Sequence, residues 1–252
     1  MEENIISVSQ LNVGVQSWVV RVVLIEKSFV RGSVNMGRHY QRYVFADQLG
    51  DRVQAIAYFA DLNVLDEILQ LFSTYYIGNG IVRRLMDDSI MLGSVSFEVT
   101  LTQHTLIERV HGLVQLPTDN LYNFTRFGHL QSLRHSRDAI ITILGVVIKV
   151  FPLHVFLFGS RYMRVQEFLL MNEEMMPVVF AIWEEFVDTD GAHLAQIAHE
   201  HPIVLICRPK ISHFHGLSLA TERRTIIMYD VAIREADELR SWYEGLAGDG
   251  PN

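Results

Sequence analysis

Histidine pairs are the residues of this sequence whose spacing most resembles metal ligands. His199 and His201, and likewise His213 and His215, would each place two imidazoles on one face of a strand. A zinc site needs three or four convergent ligands, and no third ligand accompanies either pair. The single Cys207 excludes a multi-cysteine zinc site and an internal disulfide framework. We therefore expect no metal site.

Motifs of the common enzyme classes are absent from the sequence. There is no nucleophile elbow, no phosphate-binding Gly-rich loop and no HExxH pair. The "GNG" at residues 78–80 lacks the longer spacing of a phosphate loop and is typical of a bend within a strand. The sequence therefore predicts a protein that is not an enzyme and needs no cofactor.

An aromatic residue at the end of an apolar run is the best candidate for contact with a ligand. In "VVFAIW", Val178 to Trp183, six apolar residues run without a break. Because side chains alternate along a strand, Phe180 and Ile182 would fill one face and Trp183 the other. One of these two faces of the strand can pack into a hydrophobic core. From the residues alone, Trp183 is either an ordinary core residue or a ligand platform.

Charge is unevenly distributed along the chain. The net charge of −8 and the pI of about 5.7 argue against a nucleic-acid partner. However, fifteen of the 21 Lys and Arg residues, and only three of the 29 acidic ones, fall in residues 21–43, 124–164 and 201–224. Such windows are consistent with a positive groove or with solvated faces. Within them, Arg31, Arg38 and Arg164 are candidate phosphate contacts.

Composition and the apolar segments indicate a globular chain. Hydrophobic residues make up 49% and charged residues 20%. The first ten residues do not form a signal peptide, and with a single cysteine this predicts a reducing compartment, cytosol or nucleus. Residues 139–159 are membrane-like, but Lys149, Pro152 and His154 interrupt them, and their β-branched and aromatic content favours two strands.

An internal repeat predicts the fold. The segments beginning "VQAIAYFADLNVLDEILQ" at Val53 and "VVFAIWEEFVDTDGAHLAQ" at Val178 each open with a strand ending in an aromatic, Tyr58 or Trp183, and continue into a helical stretch. Each half reads strand, strand, strand, helix, strand, strand, the order of a five-stranded OB barrel. A parallel α/β fold would need a helix after almost every strand. We predict an all-β fold with minor α: a first OB domain (1–115), a linker (116–136) and a second OB domain with a C-terminal helix (137–252).

Five segments, in order, resemble a known family. They are "SWVVRV", "YNFTRFGHLQSL", "VVFAIW", "KISHFHGLSLA" and "ELRSWYEG". Together they resemble the central tandem DNA-binding domains of the replication protein A large subunit, particularly its plant relatives. The resemblance covers nearly all of the chain and implies single-stranded DNA binding without chemistry. The family's amino-terminal interaction domain and zinc-bearing carboxy-terminal domain have no counterpart, so the resemblance does not by itself imply the family's heterotrimer.

The resemblance assigns roles to particular positions. Trp183 and Phe214 would be the stacking aromatics of the second barrel, and Lys210 falls on a basic groove residue. In the first barrel, Tyr58 falls on a stacking phenylalanine and Arg83 on a groove lysine.

Two departures from the family pattern lie in the first barrel. Gln54 replaces a groove arginine, and no aromatic residue occurs near Ser89, where the family has a second phenylalanine. We therefore expect the first barrel to bind more weakly than the second.

The leading hypothesis is a nuclear single-stranded DNA-binding protein with little sequence specificity, acting in DNA replication, repair or recombination. Its partners would be single-stranded DNA, or RNA, and proteins of a DNA-maintenance complex, with no membrane. The rival is an OB-fold adaptor whose groove binds a peptide or another protein chain. The acidic balance, the substitution at Gln54 and the missing first-barrel aromatic favour that rival.

Overall fold

A computed structural model describes residues 5–15, 17–33, 38–58, 61–111, 120–134, 136, 139–212 and 216–248. The chain divides into two compact units, Met1–Leu121 and Tyr122–Asn252. The division falls within the segment that the sequence predicts as the linker. Within the described ranges, no helix has both the length and the apolar character needed to cross a membrane.

The first unit is a curled sheet with one short α-helix. Its elements are β1 (Ile5–Ile6), β2 (Val19–Lys27), β3 (Arg31–Ser33), β4 (Arg38–Ala46), β5 (Arg52–Tyr58), α1 (Leu62–Ile68), β6 (Thr74–Gly78), β7 (Ile81–Arg84), β8 (Phe97–Leu101) and β9 (Leu106–Arg109). The strand order is β7-β8-β5-β4-β2-β6-β9, with β1 on β2 and β3 on β4. Consecutive β6 and β7 pair towards opposite ends of this order, so the chain between them draws the sheet into a barrel.

The bend between β6 and β7 lies at the "GNG" motif. Asn79 adopts a left-handed φ of 59°. A Cβ atom on Gly80 would lie 2.5 Å from Val99 Cγ1, and one on Gly78 would lie 2.7 Å from the Trp18 carbonyl oxygen. Both positions exclude a side chain because other strands pass so close. The predicted bend within a strand is confirmed.

The second unit repeats the same plan. Its elements are α2 (Leu130–Leu133), β10 (Thr142–Val150), β11 (His154–Phe158), β12 (Arg161–Met171), β13 (Val178–Trp183), α3 (Ala192–Ile197), β14 (Ile203–Cys207), β15 (Lys210–Ser212), β16 (Ser218–Ala220), β17 (Ile226–Tyr229) and α4 (Arg234–Gly248). The order β15-β16-β13-β12-β10-β14-β17, with β11 on β12, matches that of the first unit except that β1 has no counterpart among the described residues. The membrane-like segment forms β10 and β11, as predicted.

These two sheets confirm the predicted pair of OB folds with few helices. The sequence predicts five strands per barrel, whereas the fourth and fifth are each divided in two: β6 and β7, β8 and β9, and their counterparts in the second unit. Each divided strand bends sharply because its two halves pair at different places in the sheet. In the second unit the left-handed φ of 55° at Arg208 makes the break between β14 and β15.

Each unit has its own core. Buried aromatic residues of the first core include Trp18, Tyr43, Phe45 and Tyr75. Those of the second are Phe127, Phe168, Phe180 and Phe186. Large buried aromatic rings contribute strongly to the stability of a core. Aromatic residues that lie outside these two cores and are partly exposed are therefore the candidates for contact with a ligand.

Helix α4 packs beside β10 and β14 of the second unit. Ala236 and Leu239 are buried, and the ring of Tyr243 lies 5.2 Å from that of His201, centroid to centroid. The sequence predicts a final helix with these three residues on its packed side, and this is confirmed.

Candidate nucleic-acid interface

Strand β13 divides its side chains between the core and an outer face. Phe180 and Ile182 are fully buried in the second core. Trp183 lies on the other face, is half-buried, and packs against a small cluster of Val165, Ala181 and Ala220. The alternation predicted from "VVFAIW" is therefore present, and Trp183 is not a member of the barrel core.

Local contacts hold the indole of Trp183 in place. The backbone N–H of Trp183 donates to Thr221 Oγ1 at 2.9 Å, and the Phe156 ring stands nearly perpendicular to the indole with centroids 5.8 Å apart. The strand ends here because Glu184 has a left-handed φ of 49° and begins a 3₁₀ helix. A positioned, partly exposed indole of this kind can stack on a planar ligand.

The sheet register brings Lys210 to the same face as Trp183. Lys210 on β15 pairs with Ala220 on β16, and Ala220 pairs with Ala181 on β13, two residues before Trp183. With strands about 4.8 Å apart, Lys210 Cα lies roughly 10 Å from Ala181 Cα across this face. The two buried alanines form a floor between the exposed Lys210 and the indole, and Phe156 also packs against this cluster. This floor, with Trp183 and Lys210, is here called the second-barrel face.

Arg164 is engaged in a bidentate ion pair. Its guanidinium donates to both carboxylate oxygens of Asp188, at 2.8 and 2.7 Å, and its backbone N–H donates to Glu184 Oε1 at 2.6 Å. The hydrogen bond that Arg164 donates to Asp188 raises the pKa of Arg164, and the same contact lowers the pKa of Asp188. A phosphate contact by Arg164 would therefore have to compete with Asp188.

In the first unit, Tyr58 ends β5 at the position equivalent to Trp183. It pairs across the sheet with Tyr40, whose ring lies 5.4 Å from the Arg42 guanidinium carbon, within the range of a cation–π contact. Burial first, and then the Glu98 carboxylate, raise the pKa of Tyr58, while the charges of Arg83 and Arg42 oppose that rise. Arg83 lies on the same face as Tyr58, because Arg83 pairs with Glu98 and Glu98 pairs with Gln54, and the roles of Tyr58 and Arg83 in binding stay predictions.

Tyr40 and Arg42 were not singled out by sequence reasoning. They share a face with Tyr58 because Tyr40 is opposite Tyr58 and Arg42 is opposite Ile56. The usable signal was the alternation in "RHYQRYVF", which places Tyr40 and Arg42 on one side of a strand. We call Tyr40, Arg42, Tyr58 and Arg83 the first-barrel face.

Gln54 occupies a structural position where the resemblance expects a groove arginine. It is fully buried. Its amide nitrogen donates to Glu98 Oε2, and its amide oxygen accepts the Leu92 backbone N–H, both at 2.7 Å. The backbone N–H groups of Ser94 and Val95 also donate to the Arg52 carbonyl oxygen. Gln54 thus ties the segment between β7 and β8 to β5.

Replacing Gln54 with leucine is expected to lower the free energy of unfolding by about 1–3 kcal/mol. The change leaves the Leu92 N–H and the Glu98 carboxylate without their buried partner. Urea denaturation measures the loss, and amide hydrogen exchange at Leu92 should accelerate. Gln48→Leu is the matched control, because Gln48 is exposed and should change stability by no more than about 0.5 kcal/mol. Equal effects of the two variants would contradict this role for Gln54.

The sequence of this chain is similar to those of known proteins over most of its length. No protein-family model matches the chain. It is 25% identical over 234 residues to a replication protein A 70 kDa DNA-binding subunit of Oryza sativa subsp. japonica, covering 90% of this chain and 36% of that protein. A 70 kDa DNA-binding subunit of replication protein A from Arabidopsis thaliana is 24% identical over the same length, covering 90% of this chain and 38% of the relative. The chain thus spans little more than a third of the length of these relatives.

A solved replication protein A heterotrimer bound to single-stranded DNA has the same fold. It superposes with a TM-score of 0.74 and 18% identity over 97% of this chain and 56% of that one. The resemblance to replication protein A large subunits is confirmed. At this level of identity, the structural likeness supports the fold of the replication protein A-like barrels and not the role of any single residue.

The remaining predicted replication protein A-like contacts are placed as follows. Arg31 lies in β3 and is buried, with 2% of its surface exposed, so its guanidinium is not accessible to a phosphate in this structure. Arg38 begins β4, and its side chain is not among those described. Phe214 lies outside the described residues, as do His213 and His215. Their roles stay predictions.

The histidines near α3 contact the protein itself. His199 Nδ1 lies 3.0 Å from the Gln196 carbonyl oxygen, and His201 Nδ1 lies 3.0 Å from that of Val147. Among the residues that the structure describes, no three His, Cys, Asp or Glu side chains are grouped as a metal site requires.

Proposed function

We propose that this chain binds single-stranded nucleic acid without sequence reading and without catalysing a reaction. The observation that carries the proposal is Trp183, half-buried on the outer face of β13 beside an alanine floor and on the same face as Lys210. A base can stack on the indole while a phosphate contacts the ammonium group. Stacking of this kind contributes on the order of 1–3 kcal/mol per base and tolerates any sequence.

The first barrel contributes a second, weaker contact. Its face offers Tyr58, Tyr40 and the guanidinium groups of Arg42 and Arg83, but Gln54 at its centre is buried and committed to Leu92 and Glu98. The nucleic-acid strand would therefore be held mainly by the second barrel. There, the sequence resemblance supports Phe214 as a further stacking residue.

Single-stranded DNA is the proposed ligand. The related rice and Arabidopsis proteins are named DNA-binding subunits, and the solved relative is a heterotrimer bound to single-stranded DNA. These names support a role in DNA replication, repair or recombination, a nuclear location and association with partner subunits. This support does not extend to functions of the parts of those proteins that this chain does not span.

A salt titration tests the proposal. We expect a labelled oligothymidine of about 8–32 nucleotides, enough for two barrels, to bind more tightly than a blunt duplex of equal length, because stacking needs splayed bases. The logarithm of affinity should fall with the logarithm of salt concentration, with a slope of about −0.7 per phosphate contact. Fluorescence anisotropy measures both. Equal affinity for duplex, or binding indifferent to salt, would contradict this mechanism and favour a groove that binds peptide.

A further inference from the structure

A second cleft of the second unit has the opposite charge from a nucleic-acid site. It has a volume of about 280 Å³ and lies among the segment before residue 127, the turn between β12 and β13, and helix α4. Its apolar lining includes Phe124, Leu239 and Trp242. Its acidic lining includes Glu173, Glu235 and Glu238. We call it the α4 cleft.

Helix α4 presents one mixed face to this cleft. Glu235, Glu238, Leu239 and Trp242 follow the i, i+3, i+4, i+7 spacing that places side chains on one side of a helix. Leu239 is buried where the helix packs on the barrel, whereas Trp242 is half-buried and Glu238 is exposed. The helix therefore places the Trp242 indole between the buried, apolar Leu239 and the exposed carboxylate of Glu238.

The cleft has a net negative charge. Four carboxylates line it, against the single guanidinium of Arg126. Glu174 is used internally: it accepts the backbone N–H groups of Phe127 at 2.8 Å and Gly128 at 3.0 Å. Burial opposes its ionisation, but these bonds outweigh burial and hold the pKa of Glu174 below its usual range. Its charge is therefore present at neutral pH.

Of the other three carboxylates, Glu173 and Glu238 are exposed and Glu235 is half-buried. Glu235 and Glu238 share the guanidinium of Arg234, at 3.6 and 3.8 Å, and that side chain is itself 67% exposed. Glu173 is exposed at the turn. Ion pairs between exposed side chains at these distances contribute little to the free energy of unfolding. An incoming cation can therefore replace Arg234 beside these carboxylates at a small cost in free energy. A phosphate backbone would be repelled.

From this charge complementarity, we propose that the α4 cleft binds a peptide of a partner protein that carries Lys or Arg beside a large apolar side chain. Carboxylates form charge-assisted hydrogen bonds with such cations. The Trp242 ring can accept a cation on its face, and the apolar lining accepts the neighbouring side chain. Met175 and Met176, 57% and 50% exposed on the same turn as Glu173, extend this with an adaptable apolar surface.

The α4 cleft and the second-barrel face lie at opposite ends of β13. The turn bearing Glu173 precedes this strand, and Trp183 ends it. Six residues of strand span about 17 Å. The two sites are therefore separate, and one chain can hold an oligonucleotide and a basic peptide together.

The test uses a fluorescein-labelled peptide of alternating leucine and arginine and the full chain. Glu173→Gln combined with Glu238→Gln is expected to weaken peptide binding about tenfold, because two partners of the arginines are lost. Glu185→Gln combined with Glu200→Gln removes the same charge elsewhere in the second unit and should change binding less than about twofold. Comparable losses in both double variants would overturn the proposal, since the peptide would then be responding to overall charge.

Trp242→Ala and Trp183→Ala separate this site from the proposed nucleic-acid site. Trp242→Ala should weaken the peptide and spare the oligonucleotide, and Trp183→Ala should do the reverse. Competition between peptide and oligonucleotide for one site would overturn the proposal, as would self-association of the chain that the glutamine variants abolish. Failure of Trp183→Ala to affect oligonucleotide binding would count against the proposed function alone, leaving the cleft untouched.

Discussion

Replacing Trp183 with alanine is expected to weaken single-stranded oligonucleotide binding by about 1–3 kcal/mol, roughly 5- to 150-fold. The indole lies outside the second core and packs on the small cluster of Val165, Ala181 and Ala220 and on Phe156. Its removal therefore takes away the stacking surface without opening a core cavity. Anisotropy with labelled oligothymidine measures the affinity, and thermal unfolding of the same sample measures the fold.

Tyr58→Ala is the matched control in the equivalent position of the first barrel. It should reduce affinity less than Trp183→Ala, because Gln54 leaves the first-barrel face with fewer groups for a strand. Trp183→Phe should recover part of the lost affinity, since a phenyl ring also stacks. Two results would contradict the assignment: unfolding of the Trp183→Ala protein, or a larger loss of affinity in Tyr58→Ala.

Ile182→Ala, one residue earlier on the same strand, is expected to have the opposite profile. Ile182 is completely buried on the core face of β13. Its truncation should lower the free energy of unfolding by about 2–5 kcal/mol, from lost burial and the cavity left behind. Urea denaturation measures this loss.

Oligonucleotide affinity of the folded Ile182→Ala protein should stay close to that of the parent, because the second-barrel face keeps Trp183 and Lys210. Measuring affinity well below the unfolding midpoint keeps the unfolded fraction out of the comparison. A fall in affinity as large as that of Trp183→Ala, at unchanged stability, would mean that the two faces of β13 have been assigned the wrong way round.

The asymmetry between the two barrels has a local cause. At Gln54 the first barrel uses an amide to anchor Leu92, whereas the equivalent position of the second barrel is Val179, which is half-buried beside Ser218. An arginine at residue 54 would have to bury its charge beneath the segment that follows β7, and burying a charge is costly even beside the Glu98 carboxylate that now accepts from Gln54. The glutamine at residue 54 and the closure of this segment on β5 are thus two aspects of one packing arrangement.

Sequence periodicity alone determined which residues face outwards. The alternation in "VVFAIW" separates Trp183 from Ile182, and the repeated order of strands and helix predicts two OB folds. The bend at residues 78–80 follows in the same way, because glycine and asparagine adopt left-handed backbone conformations that most other residues avoid. Such features depend on residues that are adjacent in the sequence, so the sequence alone predicts them.

Only the tertiary structure decided which outward residues meet. Lys210 reaches the face of Trp183 through the pairing of β15 with β16 and of β16 with β13, and Arg42 joins Tyr58 through the register of β4 on β5. The bidentate pair of Arg164 with Asp188 spans 24 positions of sequence. A period of two gives the face of a side chain but not its partner on the next strand. Register and loop closure, set by the packing of the whole barrel, supply the partner.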